Sequence, residues 1–171
     1  MVAALPDDLR GQRDRALLLL GFAGGLRRSE LVGLDVADVA EETEGMRVRI
    51  RQGKTDQEGT GREIGIARGR HAPTDPVAAL ADWRTAAAID VGRIFREVDR
   101  GDRVGAARLS DRAVARIVKS AAERVGIDTA LVSGHSLRSG LATSAAAAGA
   151  PERVIMRTTG HRSRPSRLPA T

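Results

Sequence analysis

Apolar residues fall into several helical stretches and one stretch of strict alternation. After Pro6-Asp7-Asp8, the segment from Leu9 to about Ala23 reads as a helix, with acidic residues at its start, where the helix dipole favours them. Its Leu17 to Leu20 run is expected to be buried, and Gly24-Gly25 to close it. A short second helix is expected from Arg28 to Leu31, leading into an irregular stretch from Gly33 to Glu44. Met46 to Arg51 then alternates apolar and basic residues with period two, the pattern of a strand with one buried face. Ile64 and Ile66 repeat that spacing across a polar connection, Gln52 to Gly61, which predicts a small antiparallel sheet with Lys54 in or beside its turn. Pro73-Thr74-Asp75-Pro76 is a helix start, with Asp75 as N-cap, followed by apolar residues to Ile89. Another helix begins at Ser110 or Asp111, because Val114, Ile117, Val118, Ala121, Ala122 and Val125 share one face before Gly126. Leu137 to Ala148, ending at Gly149, and Pro151 to about Thr158, ending at Gly160, complete the set. The fold class expected is mainly α with a small antiparallel β-sheet, an α+β arrangement in one domain.

Charge sharpens this picture. The chain of 171 residues carries 28 Lys plus Arg against 22 Asp plus Glu, a formal charge of +6, which points to a polyanionic partner, either nucleic acid or an acidic surface. Only Lys54 and Lys119 are lysines, so nearly all of the basic residues are arginines, whose planar fork suits bidentate phosphate contact. GC-rich coding produces the same Ala, Gly and Arg bias. Trp83, Phe22 and Phe95 are the only aromatic residues, which disfavours base stacking on single strands and favours a duplex backbone as target. With no cysteine there is neither a disulfide framework nor a thiolate metal site. The longest apolar run, Ala16 to Phe22, is too short to span a bilayer, and no basic-then-apolar signal opens the chain, so cytoplasmic localisation is the default.

Three segments carry candidate chemistry. Gly25-Leu26-Arg27-Arg28-Ser29-Glu30-Leu31 sets two arginines and a glutamate at a helix start, where backbone N–H groups favour an anion. The alternative is a solvated charged turn. His135-Ser136-Leu137-Arg138 puts an imidazole and a guanidinium three residues apart, facing one ligand from a helix start, where an exposed His beside an Arg is the plainer alternative. Gly160-His161 follows the last helix. Other chemistries fit less well. Gly53-Lys54-Thr55 resembles the end of a P-loop, but Val48 stands where its first glycine belongs. His71, His135 and His161 lack zinc-ligand spacing, His71 reads as a surface residue, and no Gly-x-Ser-x-Gly elbow occurs.

Taken together and in this order, the three segments resemble the tyrosine recombinase (phage integrase) family, over Pro6 to about Ser163. The resemblance implies a catalytic domain over residues 1–161, with no preceding core-binding domain and a disordered or aberrant tail over 162–171, and it implies double-stranded DNA and other recombinase subunits as partners. It implies that Arg27 and Arg138 hold the non-bridging oxygens of a scissile phosphate and that Lys54 protonates the 5′-hydroxyl leaving group. His135 would serve in proton transfer and phosphate hydrogen bonding, suited by a reference pKa of about 6.5. His161 would donate a further hydrogen bond, and Glu30 would orient the basic groups. No metal and no small-molecule cofactor is implied, because the arginines supply the charge.

One departure bears on activity. The family's nucleophile is a tyrosine a short way past the final histidine, yet the sequence contains no tyrosine and has Ala170 in that neighbourhood. The surrounding Arg164-Pro165-Ser166-Arg167-Leu168-Pro169 is a poor helix former. The expectations are therefore a recombinase domain that lacks its nucleophile through truncation or frameshift and is inactive alone, or a non-catalytic duplex-DNA-binding or partner-binding remnant.

Overall fold

A computed structural model describes residues 1–51 and 61–160. Lys54 and His161, together with the proposed tail, lie outside the described residues.

The first helix, α1 (Leu9–Ala23), begins where Asp8 accepts a hydrogen bond from the Gly11 N–H at 2.7 Å. It ends in a Schellman closure: Leu26 N–H donates to the Gly21 carbonyl at 3.0 Å and Gly25 N–H to Phe22 at 3.2 Å. That closure requires a left-handed residue, and Gly25 supplies it with φ 56°. The chain then reverses directly into α2 (Arg28–Gly33). Leu17, Leu18 and Leu20 are buried, whereas Leu19 is half-buried.

The stretch from Gly33 to Glu44, expected to be irregular, contains a 3-10 turn at Val36–Asp38 and a strand, β1 (Val39–Glu42). β1 pairs antiparallel with β2 (Gly45–Ile50), and β2 with β3 (Arg62–Ala67), giving a three-stranded sheet in the order β1-β2-β3. β1 shows little alternation because most of it is exposed, and its pairing with β2 rather than its own burial pattern makes it a strand. The inward face carries Met46, Val48, Ile50, Ile64 and Ile66, all buried.

α3 (Pro76–Ala86) starts as expected, with Asp75 accepting from Val77 N–H at 2.9 Å. It stops short of Ile89 because Ala88 adopts φ 50°, although Ile89 is fully buried. Trp83, also fully buried, donates its indole N–H to the Ile94 carbonyl at 3.0 Å. A hairpin of β4 (Arg96–Val98) and β5 (Val104–Arg108) follows, in a region where the hydrophobic pattern gave no element. α1 anchors it through its arginines: Arg10 Nε donates to the Val98 carbonyl at 3.2 Å and Arg13 to the Arg96 carbonyl at 3.4 Å.

α4 (Asp111–Glu123) buries Val114, Ile117, Val118, Ala121 and Ala122, but Val125 lies past its end and is 42% exposed. α5 (Ser136–Ala147) and α6 (Glu152–Thr159) pack on each other, and α5 also packs on α1. No helix among the described residues is long and apolar enough to cross a membrane.

Candidate functional site

Glu30 organises the site. It lies on α2, is 5% exposed, and its two carboxylate oxygens accept four hydrogen bonds. Oε1 takes Arg27 Nη1 at 2.7 Å and Arg62 Nη1 at 2.9 Å, and Oε2 takes the Arg27 backbone N–H at 2.8 Å and Arg62 Nη2 at 3.1 Å. Burial pushes its carboxyl up, but the hydrogen bonds from Arg62 and Arg27 outweigh burial and hold it below the usual range, so it stays ionised. The anion at the start of α2 is thus the chain's own Glu30. Positive charge for an external anion comes instead from the guanidinium groups around it.

Arg138 completes the cluster from α5. It is 6% exposed, and Nη1 donates to the Gly25 carbonyl at 3.0 Å, across 113 residues of sequence. Its Nη2 is buried and has no hydrogen-bond partner among the described residues. Burial first, then repulsion from Arg27, pushes its pKa down to about 10, with Glu30 opposing and Arg62 adding to the fall. Three guanidinium groups therefore face one carboxylate, an excess of positive charge in a largely desolvated place, where Arg138 Nη2 is a strong donor with no partner among the described residues. Such an arrangement favours an oxyanion, because charge-assisted hydrogen bonds strengthen where water is excluded.

Glycines let the walls close. A Cβ on Gly25 would stand 2.8 Å from Leu141 Cδ1's geminal methyl, Cδ2, and 3.1 Å from Thr159 Cγ2, so the α1–α2 turn touches both α5 and α6. A Cβ on Gly160 would stand 2.8 Å from Arg62 Nη1, which brings the turn after α6, immediately before His161, against the cluster. His135 precedes α5 and is exposed, its backbone N–H donating to Ser133 Oγ at 3.2 Å. The Arg28 side chain lies along the adjoining Gly134.

The structure thus gathers Arg27, Glu30 and Arg138, and sets His135 at the exposed start of the helix that carries Arg138. Arg62 is the member that motif reading missed. Its signal was its phase: it stands two and four residues before Ile64 and Ile66, opposite Ile50 in the ladder, on the inward face of the sheet.

The family model of the phage integrase family matches residues 1–166. The chain belongs to the phage integrase family. An integrase/recombinase XerD homolog of Selenomonas ruminantium is 42% identical over 157 residues, covering 92% of this chain and 46% of that protein. Tyrosine recombinase XerD of Mycobacterium tuberculosis is 35% identical over 157 residues, covering 88% of this chain and 45% of that protein. The chain therefore spans about half the length of the curated relatives it matches. Among solved structures, the XerH site-specific recombinase bound to a palindromic difH substrate superposes with a TM-score of 0.70 at 18% identity, covering 92% of this chain and 41% of that one. This last likeness is one of fold.

Proposed function

We propose that this chain carries the scissile-phosphate pocket of a site-specific DNA recombinase, acting on double-stranded DNA in the cytoplasm. The observation that supports the reading most directly is the buried Nη2 of Arg138, which has no hydrogen-bond partner among the described residues and stands beside Arg27 in a cluster where guanidinium charge exceeds carboxylate charge. Arg27 and Arg138 bind the non-bridging oxygens of one phosphodiester, whose charge grows as a nucleophile adds to phosphorus. Glu30 keeps Arg27 in register. Lys54 gives a proton to the departing 5′ oxygen as the phosphorus–oxygen bond breaks, and His135 and His161 hydrogen-bond the phosphate and move protons.

The nucleophile is not among these 171 residues, which include no tyrosine. An alkyl hydroxyl is a poor substitute for a phenol of pKa about 10. The chain as it stands therefore binds duplex DNA, alone or beside other recombinase subunits, without joining to it.

The test uses the purified chain with a nicked suicide duplex. Salt-sensitive duplex binding, weakened by Arg138→Met, with no covalent protein–DNA adduct on denaturing gels, is the expected result. A covalent adduct would overturn the non-cleaving part, and equal binding by the Arg138→Met variant would overturn the pocket.

A further inference from the structure

We propose that Arg62 is a positioning residue of this pocket, holding Glu30 by a two-pronged grip so that Arg27 and the turn at Gly160 are set around one phosphate; the proposal rests on the pocket reading above. Both Arg62 terminal nitrogens are used on Glu30, at 2.9 and 3.1 Å. The same carboxylate holds Arg27 by its side chain and its backbone, so its orientation fixes Arg27. The other side of the Arg62 guanidinium lies against Gly160, with a distance of 2.8 Å from Nη1 to where a Cβ would be. One planar group from β3 thus connects α2 to the end of α6, two segments that no strand or helix joins directly. Its Nε is buried with no hydrogen-bond partner among the described residues. A buried donor without a partner costs stability, so stability of the sheet alone would favour an apolar residue in phase with Ile64 and Ile66.

Lysine at this position keeps the charge but cannot form two parallel bonds to a carboxylate. Arg62→Lys therefore separates positioning from charge. We would measure binding of the whole chain to a labelled duplex across a salt series, for the wild type, Arg62→Lys and Arg138→Met, each checked for folding by circular dichroism. Positioning predicts that Arg62→Lys weakens binding several-fold and flattens the salt dependence in the direction of Arg138→Met, where each lost phosphate contact lowers the slope by about 0.9. A residue that only supports the fold would leave the slope of the folded protein unchanged. Wild-type behaviour of Arg62→Lys together with impaired Arg138→Met overturns the positioning role and leaves the pocket standing. If Arg138→Met also binds like the wild type, or the wild type does not bind, the pocket reading fails and this proposal falls with it. Should Arg62→Lys not fold, Glu30→Gln decides: removing a negative charge beside a phosphate would tighten binding by charge alone, whereas loss of the grip weakens it.

Discussion

Replacing Arg138 by Met tests whether this buried guanidinium serves the fold or the ligand. Two opposed effects set the size of the change. The Gly25 carbonyl loses its donor at 3.0 Å, and a buried acceptor left unpaired costs about 1–3 kcal/mol. Against this, a desolvated charge that two neighbouring arginines repel is removed. Its pKa falls to about 10, and each tenfold change in proton affinity is worth about 1.4 kcal/mol. Solvent screens part of the repulsion, so the relief is about 1–3 kcal/mol as well. The methionine stem replaces the packing of the arginine stem. The net change in stability is thus expected to stay within about 1 kcal/mol, or about 2–4 °C in Tm for a chain of this size. Trp83, the single tryptophan and fully buried, gives a fluorescence signal for urea and thermal unfolding. Duplex binding, measured on the same samples, is expected to fall at least about tenfold, the effect of losing a charge-assisted phosphate contact of about 1.5–3 kcal/mol. A destabilisation above about 3 kcal/mol, the usual result of breaking a buried charge pair, would show instead that Arg138 anchors the fold.

Other perturbations test the surrounding parts. Because Glu30 is held below the usual carboxylate range, the unfolded chain takes up its proton first as pH falls, so the contribution of Glu30 to stability is present at neutral pH and is lost on acidification. Urea midpoints between pH 6 and pH 3 (about the carboxylate range) should fall more steeply for the wild type than for Glu30→Gln, and parallel curves would contradict the assigned shift. Gly25→Ala places a Cβ 2.8 Å from Leu141 at φ 56°, and is expected to cost about 2–3 kcal/mol in urea unfolding, the left-handed backbone accounting for about 1–2 kcal/mol of it. A loss below about 1 kcal/mol would mean that the turn relaxes freely. Asp8→Ala removes the α1 cap and should cost about 1 kcal/mol with duplex binding unchanged, since the cap is remote from the arginine cluster.

Local signals in the sequence determined most of the helices and half of the site. Asp8, Asp75 and Ser110 are caps whose partners lie within three residues, and Gly25 ends a helix by its own backbone, so the starts of α1, α3 and α4 and the end of α1 were legible without the fold, whereas α3 and α4 end before the apolar pattern does. Alternation alone gave β2 and β3. Arg27, Glu30, His135 and Arg138 were marked by short motifs, while the expectations for Lys54 and His161 fall outside the described residues. Tertiary structure decided the rest. β1 is a strand through its ladder with β2, and the β4–β5 hairpin has little burial of its own and is tied down by Arg10 and Arg13 of α1. Arg138 meets the Gly25 carbonyl across 113 residues, and Arg62 meets Glu30 across 32. The physical reason is range. Caps and periodicity act within a few residues along the chain, whereas a guanidinium cluster exists only when the closed core brings three separate elements together and shields the neighbouring charges from much of the water.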